Sequence, residues 1–401
     1  MNSSRYVYPS LDLLQAPEEP AGLFNDLQDA AFIQAKLLGL GVSASVKKIN
    51  RGPQATQYAL LLEPGANINV LANRKKTLAE RLGVQSVHLE IPLRNTSLIG
   101  LDVPKEKADP VSLQELLCSI IRDSSAAVTK LPVGKDMQGE PVTCDIHDFP
   151  HALIGGNDGA GQIAFLRQII LSLLYRATPE QARLLLIDPT GKELMAFKNI
   201  PHLVTNVITD ARQGIAALWW LEEEMSRRYQ LLQEAGVRNL DGFNYKKPEQ
   251  QLPVLITVVS ELGDLMDADR KSTDTALQRM AVLARTAGIY LLLATQRLDV
   301  GSITGVVKAN VPSRIAFAVQ DKNQSRFIID SCGAEDLIGA GDMLFFPRSE
   351  FRPIHVQACS LTDAEIEAVL QDIALHNAPR AFLATAEDLD KCQEKIRLEK
   401  P

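Results

Sequence analysis

Short apolar segments alternate with longer helical ones through the central part of the chain, and this alternation is the strongest constraint on its fold. The apolar segments are HALIGG at 151–156, RLLLIDP at 183–189, PVLITVV at 253–259 and IYLLLAT at 289–295. Each has the length of a buried strand, and the helix between the first two has apolar side chains at helical spacing. Near-continuous apolar strands that alternate with helices predict an α/β fold, with a parallel-rich sheet covered on both faces.

The regions on either side have different patterns, and they divide the chain into four parts. Residues 1–27 are rich in proline and acid, which predicts a flexible leader. Residues 28–145 mix strand-like runs such as TQYALLLEP with amphipathic helices, which predicts a small α+β accessory domain. The α/β domain is expected to span residues 146–378, and the charged residues 379–401 are expected to form a peripheral tail.

Composition excludes several classes of protein. Of the 401 residues 46% are hydrophobic, yet no apolar run approaches the ~20 residues that span a bilayer. We therefore expect a cytoplasmic protein with no membrane segment. Five scattered cysteines without a CxxC pair argue against disulfides and against a zinc site, so no metal site is predicted. A net charge of −7 gives no global attraction to nucleic acid, so DNA binding would need a local basic patch.

The stretch GGNDGAGQI at 155–163 follows the first apolar segment and opens a helix, as the phosphate-binding loop G-x-x-x-x-G-K-[ST] does. Gly156 and Gly161 have the glycine spacing of that loop, with Gly159 between them. Gln162 stands at the lysine position and Ile163 at the hydroxyl position. The loop is therefore either a degenerate nucleotide site or a structural turn between strand and helix.

Two further strand ends have polar residues where an enzyme that hydrolyses nucleotides would use them. PVLITVV is followed by Ser260 and Glu261, where such enzymes place an Asp that holds Mg²⁺ and a Glu that activates water. Glu261 is present, and the metal-binding Asp is replaced by Ser260. IYLLLAT is followed by Gln296, where a phosphate sensor would lie, although a glutamine that caps a helix or loop would look the same.

Longer stretches resemble the motor of the FtsK/SpoIIIE DNA translocases. They are ILSLLYRATPEQARLLLIDP, IPHLVTNVITD, RRYQLLQEAGVRNLDGFN, AGIYLLLATQR, ITGVVKANVPSRIAF and GAGDMLFF. The preceding region resembles that family's accessory α+β domain through SLDLLQAP, GPQATQYALLLEPG and GKDMQGEPV. The resemblance runs from about residue 9 to 378. It implies a RecA-like P-loop NTPase fold and a hexameric ring that uses ATP to drive duplex DNA through its channel.

This sequence departs from the family where the nucleotide would bind. The family loop is similar to GTTGSGKS, whereas residues 156–163 read GNDGAGQI, so the phosphate-binding ammonium and the hydroxyl ligand of Mg²⁺ are missing. Ser260 removes the second metal ligand, and Asp158 adds a negative charge. One close ion pair is worth roughly 4 kcal/mol at an effective dielectric near 20, before desolvation is subtracted. We therefore expect weak or absent binding of ATP and Mg²⁺ and no useful hydrolysis.

Other positions keep the family's residue types. Arg285, in LARTAG, matches the arginine that in the family reaches the neighbouring subunit's ATP site, although the helix dipole also favours an arginine near a helix end. The basic residues of the family's two channel loops correspond to Arg297, Lys308, Lys322 and Arg326. Residues 297–326 contain five basic side chains and two acidic ones. They predict either sequence-independent contact with DNA phosphates or an ordinary solvated surface.

These features lead to one primary hypothesis and two alternatives. The primary hypothesis is a catalytically silent motor core that binds double-stranded DNA and acts as a regulatory or structural ring subunit in chromosome partitioning at cell division. It would form a homohexamer or assemble with an active FtsK-like motor. The first alternative is a working ATP-dependent translocase with Lys192 as a surrogate phosphate ligand, and the second is a protein-binding scaffold without DNA. Neither the family's membrane-spanning N-terminus nor its C-terminal winged helix is expected here.

Overall fold

The computed structural model describes residues 6–17, 26–93, 96–105, 108–123, 127–157, 159–299 and 303–398. The strands are β1 (Ala44–Arg51), β2 (Ala55–Leu62), β3 (His88–Glu90), β4 (Ile99–Pro104), β5 (Lys130–Asp136), β6 (Pro141–Asp145), β7 (His151–Gly155), β8 (Ala182–Ile187), β9 (Val254–Val259), β10 (Ile289–Thr295), β11 (Ser313–Phe317), β12 (Asp342–Phe346) and β13 (Ile354–Gln357). The α-helices are α1 (Asp26–Leu38), α2 (Ile68–Asn73), α3 (Lys75–Leu82), α4 (Leu113–Ile121), α5 (Gln162–Leu174), α6 (Ala211–Ala235), α7 (Leu240–Lys246), α8 (Leu262–Leu283), α9 (Gly305–Asn310), α10 (Lys322–Ile329), α11 (Asp363–His376) and α12 (Ala386–Leu398). Within the described ranges, no helix is both long and apolar enough to cross a membrane.

The larger sheet is the framework of the α/β domain. Its strand order is β6-β5-β13-β12-β11-β7-β10-β9-β8, and the five strands from β11 to β8 run parallel. Alternate residues of a strand face opposite sides, so Leu184 and Leu186 of β8 join one apolar core while Leu185 and Ile187 join the other. The predicted α/β fold with a parallel-rich sheet covered on both faces is confirmed.

The smaller sheet forms an N-terminal domain of its own. Its strands follow the order β1-β2-β4-β3, and all of its pairs are antiparallel. Helices α1 and α3 cover it, because Ile33 and Leu37 of α1 and Leu78 of α3 pack with Leu60 and Leu101 of the sheet. This arrangement has the small α+β architecture that the sequence pattern predicts.

The division between the two sheets lies earlier in the chain than residue 145, where we expected the domain boundary. Strands β5 and β6 pair with each other, and β5 pairs with β13, so this hairpin extends the larger sheet. Gly134 permits the close approach, since a Cβ there would lie 2.0 Å from the carbonyl oxygen of Gln357. The local sequence cannot reveal this pairing because β13 lies far along the chain.

Residues 6–17 and helix α12 pack against the α/β domain, whereas residues 1–5 and 18–25 of the expected leader lie outside the described residues. Tyr6 is buried, and its hydroxyl donates a hydrogen bond to the carbonyl oxygen of Leu174 at 2.9 Å. Helix α12 packs on α6 and buries Leu389, Cys392 and Ile396. Their i, i+3, i+7 spacing is the signal of an amphipathic helix within a charged segment.

Polar contacts join the two domains. Lys75 of the N-terminal domain pairs with Asp336, and the Ser86 hydroxyl donates to the carbonyl oxygen of Asp336 at 3.0 Å. The side-chain Nε2 of Gln138, in the β5–β6 hairpin, donates to Gln57 Oε1 at 3.1 Å. These contacts fix the position of the smaller sheet beside the larger one.

Candidate functional site

The glycine-rich loop joins β7 to α5 at the carboxyl edge of the parallel strands, where ligands bind in folds of this type. Gly159 and Gly161 have φ angles of 73° and 125°, in the region that favours glycine. A Cβ on Gly161 would lie 2.8 Å from the backbone of Gly341, so the close approach of the two segments also requires glycine. Asp158, which was expected to add a negative charge, lies outside the described residues.

Gln162, at the lysine position, folds back onto the loop. It is only 2% exposed, and its Nε2 donates to the carbonyl oxygens of Gly156 and Asn157, at 2.5 and 3.0 Å. Both protons of the side-chain amide are therefore used within the loop, and neither is left for a phosphate. Ile163, at the hydroxyl position, packs against the apolar core and offers no metal ligand.

Two backbone amides of the loop also donate within the protein. The Asn157 N–H donates to the carbonyl oxygen of Ala318 at 2.9 Å, and the Ala160 N–H donates to the carbonyl oxygen of Asn157 at 3.1 Å. A phosphate-binding loop works by directing its amides at the anion. This loop keeps the strand–turn–helix arrangement of such a site but has fewer free donors and no cationic side chain.

Ser260, at the metal-ligand position, is bound to another side chain. Its hydroxyl donates to Asp188 Oδ1 at 2.9 Å, at the end of the neighbouring strand β8. Asp188 is fully buried and also accepts hydrogen bonds from the Thr190 hydroxyl and from the backbone amides of Glu193 and Leu194. With four donors around it, this carboxylate stabilises the turn after β8 and has little capacity left for Mg²⁺.

Asp188 is the residue at this site that the sequence analysis missed. The available signal was an acidic residue at the carboxyl end of the buried strand RLLLIDP. Its partner Ser260 becomes evident only from strand pairing, which places Ile187 opposite Val259. Lys192, the surrogate phosphate ligand of the first alternative, is exposed in the turn that follows. Among the described residues, no hydrogen bond or ion pair joins its side chain to the glycine-rich loop.

Glu261 is buried, and three donors bind its carboxylate. Oε1 accepts from the Thr295 hydroxyl at 2.6 Å and from the Gly263 amide at 2.8 Å, and Oε2 accepts from the Gln296 amide at 2.9 Å. The side chain thus caps the start of α8 and links it to the end of β10. Gln296, the expected phosphate sensor, contributes its backbone here, and its side chain is exposed.

Arg285 is exposed in the turn between α8 and β10. This turn lies at the amino end of β10, whereas the glycine-rich loop lies at the carboxyl end of β7, which is parallel to β10. The seven residues of β10 span roughly 23 Å. Arg285 therefore cannot reach the loop of its own chain.

Two of the four expected DNA-binding side chains form ion pairs. Arg297 pairs with Asp264 and Asp267 near the start of α8. Lys308 Nζ lies 2.6 Å from Asp330 Oδ1 and 5.4 Å from the centre of the Phe327 ring. These acidic partners reduce the positive charge that the two side chains can offer to a phosphate.

The other two candidates lie one turn apart on α10. Lys322 and Arg326 are exposed, and neither forms an ion pair with a described residue. We refer to these two side chains as the α10 basic face. Arg314, which was counted with them in the sequence, is buried, and its guanidinium donates to three backbone carbonyl groups. The exposed positive surface is therefore smaller than the sequence count suggests.

Two family models match this chain. The model of the FtsK/SpoIIIE family matches residues 113–300, and the model of the FtsK alpha domain matches residues 8–105. Along the chain, the boundary between the two matches falls after the last strand of the smaller sheet and before the first strand of the larger one.

Curated relatives match over most of this chain. DNA translocase SftA of Bacillus subtilis is 37% identical over 392 residues, which cover 96% of this chain and 41% of the relative. DNA translocase FtsK of Caldanaerobacter subterraneus is 39% identical over 367 residues, which cover 91% of this chain and 52% of the relative. DNA translocase SpoIIIE of Bacillus subtilis is 36% identical, with coverages of 93% and 49%. The chain therefore spans about half the length of the curated relatives it matches.

Solved structures show the same fold. The pCW3 conjugation coupling protein TcpA, in its monomer form with ATPγS, aligns with a TM-score of 0.58 at 22% identity, covering 86% of this chain and 99% of TcpA. The cytoplasmic domain of the type VII secretion ATPase EccC of Thermomonospora curvata aligns with a TM-score of 0.57 at 22% identity, covering 64% of this chain and 32% of EccC. These two likenesses concern the fold alone, which is that of the RecA-like P-loop ATPases. The two family models and the curated relatives also show the family, and the chain belongs to the FtsK/SpoIIIE family.

Proposed function

We propose that this chain binds double-stranded DNA without hydrolysing ATP and acts as a regulatory or structural subunit of a ring. The relatives that it matches are named DNA translocases, which supports DNA as the partner. The observation that carries the proposal is that the chain's own groups fill its nucleotide site. Gln162, Ser260 and Glu261 are each bound to another part of the protein, at positions where the chemistry needs a cation, a metal ligand and a free carboxylate.

Electrostatics supports the absence of hydrolysis. Phosphoryl transfer depends on a metal ion and a lysine that neutralise the charge of the transition state. Gln162 is neutral, and a triphosphate would have to displace its two hydrogen bonds without gaining a cation in return. Mg²⁺ would meet an Asp188 carboxylate that four donors already surround. We therefore expect weak or absent nucleotide binding and no useful turnover.

Arg285 gives such a silent subunit a function beside an active one. It is exposed at the sheet edge opposite the glycine-rich loop, so its guanidinium can act only on a neighbouring molecule. An arginine supplied from a neighbour raises the turnover of P-loop enzymes by about 10³–10⁵. A mixed ring with an active FtsK-like motor would use this residue, whereas a homohexamer of silent subunits would hold DNA without driving it.

DNA binding in this proposal depends mainly on the α10 basic face. Exposed cations that are free of acidic partners contact phosphates without sequence preference, and salt weakens that contact. Lys322 and Arg326 meet this description, while Arg297 and Lys308 would first have to leave their aspartates. We therefore expect modest, strongly salt-dependent affinity for duplex DNA.

A protein-binding scaffold is the second candidate function. It is favoured by the ion pairs that hold Arg297 and Lys308 within the protein. This candidate predicts no binding of duplex DNA at low salt, whereas the primary proposal predicts binding that falls steeply as salt is added.

ATP turnover by the purified chain, measured with and without duplex DNA, tests the proposal. We expect no turnover above background for the wild type, and the same result for Glu261→Gln and Lys192→Ala. DNA-stimulated turnover that disappears in Glu261→Gln would overturn the proposal. Turnover that disappears in Lys192→Ala would instead support the working translocase with a surrogate lysine. Circular dichroism of each variant confirms that it is folded.

A further inference from the structure

Two histidines and two aspartates meet where the N-terminal domain contacts the α/β domain. His88 lies on β3 and Asp102 on β4, whereas Asp342 lies on β12 and His355 on β13. One nitrogen of each histidine and one oxygen of Asp102 all lie within 4.8 Å of one another. We call these four residues the interdomain cluster. None of them takes part in the function proposed above.

His355 is held from both sides. Its Nδ1 lies 3.2 Å from Asp102 Oδ2, and its Nε2 lies 2.6 Å from Asp342 Oδ1. Gln57 Nε2 donates to Asp102 Oδ1 at 2.9 Å. In metal sites, a ligating histidine typically donates its second N–H to a carboxylate, and a ligating carboxylate is itself hydrogen-bonded. Asp342 and Gln57 would support His355 and Asp102 in this way.

His88 provides an observation that the ion pairs of His355 do not explain. Its Nδ1 is buried and has no hydrogen-bond partner among the described residues. Asp336 Oδ2 lies 3.9 Å from this nitrogen and pairs with Lys75. The His88 ring meets the His355 ring edge to face, with 5.4 Å between their centres. A buried polar atom without a partner is costly, and a metal ion bound to this nitrogen would satisfy it.

We propose that His88, Asp102 and His355 form a binding site for a divalent transition-metal ion of the zinc type, which links the two domains. Two imidazole nitrogens and one carboxylate oxygen are a ligand set that Zn²⁺ uses, with water at a fourth position. In a tetrahedral site with metal–ligand bonds of about 2.0–2.1 Å, the ligand atoms lie about 3.3 Å apart. The candidate ligand atoms lie within 4.8 Å of one another. Each pair of ligand atoms therefore has to approach by no more than roughly 1.5 Å.

A cleft between the domains gives an ion access to this site. Its volume is about 980 Å³, and both His355 and Gln57 line it. The charged residues among its described lining are Lys48, Glu90, Asp136, Glu350 and Arg352. Three of these five side chains are acidic and two are basic, so the described part of the lining carries no excess of positive charge. The two histidines are far apart in the sequence, which is why no ligand spacing revealed the site.

Equilibrium binding of Zn²⁺ tests the proposal on the full chain, after affinity tags and bound metals have been removed. Competition with a chromogenic chelator measures stoichiometry and affinity, and we expect one ion per chain and a higher thermal midpoint with Zn²⁺. His88→Ala should weaken binding by at least about 100-fold, because it removes a ligand. Asp342→Asn, which removes only the carboxylate behind His355, should weaken it by about 10- to 100-fold.

His376→Ala is the matched control, because His376 also contacts an aspartate, Asp372, but lies exposed on α11. It should leave Zn²⁺ affinity unchanged. The visible absorption of Co²⁺ bound to the wild type gives a second readout that does not depend on whether a variant folds, and we expect the intense bands of a tetrahedral site. Absence of stoichiometric Zn²⁺ binding by the wild type would overturn the proposal. So would binding that His88→Ala and His355→Ala leave unchanged.

Discussion

At the scale of single residues, Gln162 shows how a lysine position can be filled without its charge. The side-chain amide has two N–H groups, and both find carbonyl acceptors inside the loop. A lysine ammonium could donate to the same carbonyl groups and still bring a positive charge to a phosphate. The glutamine therefore changes the electrostatics of the loop more than its shape.

We expect Gln162→Ala to lower the free energy of unfolding by about 1–3 kcal/mol, because it leaves the buried Gly156 carbonyl group without its side-chain donor and removes one of the two donors to the Asn157 carbonyl group. Gln162→Lys keeps a donor at the same place and should cost less. Urea denaturation of both variants measures the difference. If Gln162→Ala were as stable as the wild type, these hydrogen bonds would not be what supports the loop.

Glu261→Gln should also destabilise the protein, although the side chain keeps its size. The carboxylate accepts three hydrogen bonds, and a glutamine NH₂ group would face at least one of those donors. We expect a loss of about 1–3 kcal/mol in the free energy of unfolding. Glu367→Gln, on the exposed face of α11, is the control and should change it little. An unchanged stability of Glu261→Gln would mean that the carboxylate is free for chemistry.

At the scale of elements, α10 presents the exposed basic face that we propose contacts DNA. Replacing both Lys322 and Arg326 with alanine should reduce the slope of log affinity against log salt by about 2, because each phosphate contact contributes about 0.9. Fluorescence anisotropy of a labelled duplex at several salt concentrations measures this slope. The double variant Lys391→Ala/Lys395→Ala removes the same charge from α12 and should leave the slope unchanged. A slope that Lys322 and Arg326 do not affect would contradict the proposed interface.

The elements of the α/β domain were predictable, because each buried strand is apolar over its own length. Strands β7, β9 and β10 lie within the segments that the sequence pattern indicated, and β8 begins one residue before its segment. Long-range partners were not predictable. The β5–β6 hairpin joins β13, and α12 packs on α6, through contacts between residues that are distant in the chain.

The candidate site was predictable only in part for the same reason. Gln162 and Ser260 were visible as departures from the family, but the bond between Ser260 and Asp188 depends on the pairing of β8 with β9. The charge count over residues 297–326 likewise included Arg314, which is buried, and left out Asp264 of α8, which lies outside that window and pairs with Arg297. Charge in a sequence window is therefore a poor measure of charge on a surface.

At the scale of the whole molecule, two buried histidines couple stability to pH. Burial, with a smaller contribution from Arg285, lowers the pKa of His151 to about 4, and burial lowers the pKa of His202 to about 4. A histidine in the unfolded chain has a pKa near 6.5. Between these values the unfolded chain binds protons at these two positions that the folded protein does not, so their contribution to stability falls as the pH decreases from about 6.5 to 4.

We expect each of these histidines to contribute a loss of roughly 1–2 kcal/mol in the free energy of unfolding between pH 7 and pH 5. Urea denaturation at the two pH values measures it. His202→Gln, which can still donate to the Ala177 carbonyl, should lose less stability over this interval than the wild type. His376 is exposed, so His376→Gln should lose as much stability over this interval as the wild type does. Equal losses in His202→Gln and the wild type would contradict this explanation.

The assembled protein is proposed to hold DNA through α10 while its nucleotide loop stays silent. Equilibrium binding of ATP with and without Mg²⁺, to the wild type and to Gln162→Lys/Ile163→Ser, tests this most directly. For the wild type we expect a dissociation constant weaker than about 1 mM that Mg²⁺ does not change, and for the double variant an affinity at least about tenfold higher. Binding of ATP to the wild type in the micromolar range, and only when Mg²⁺ is present, would contradict the account.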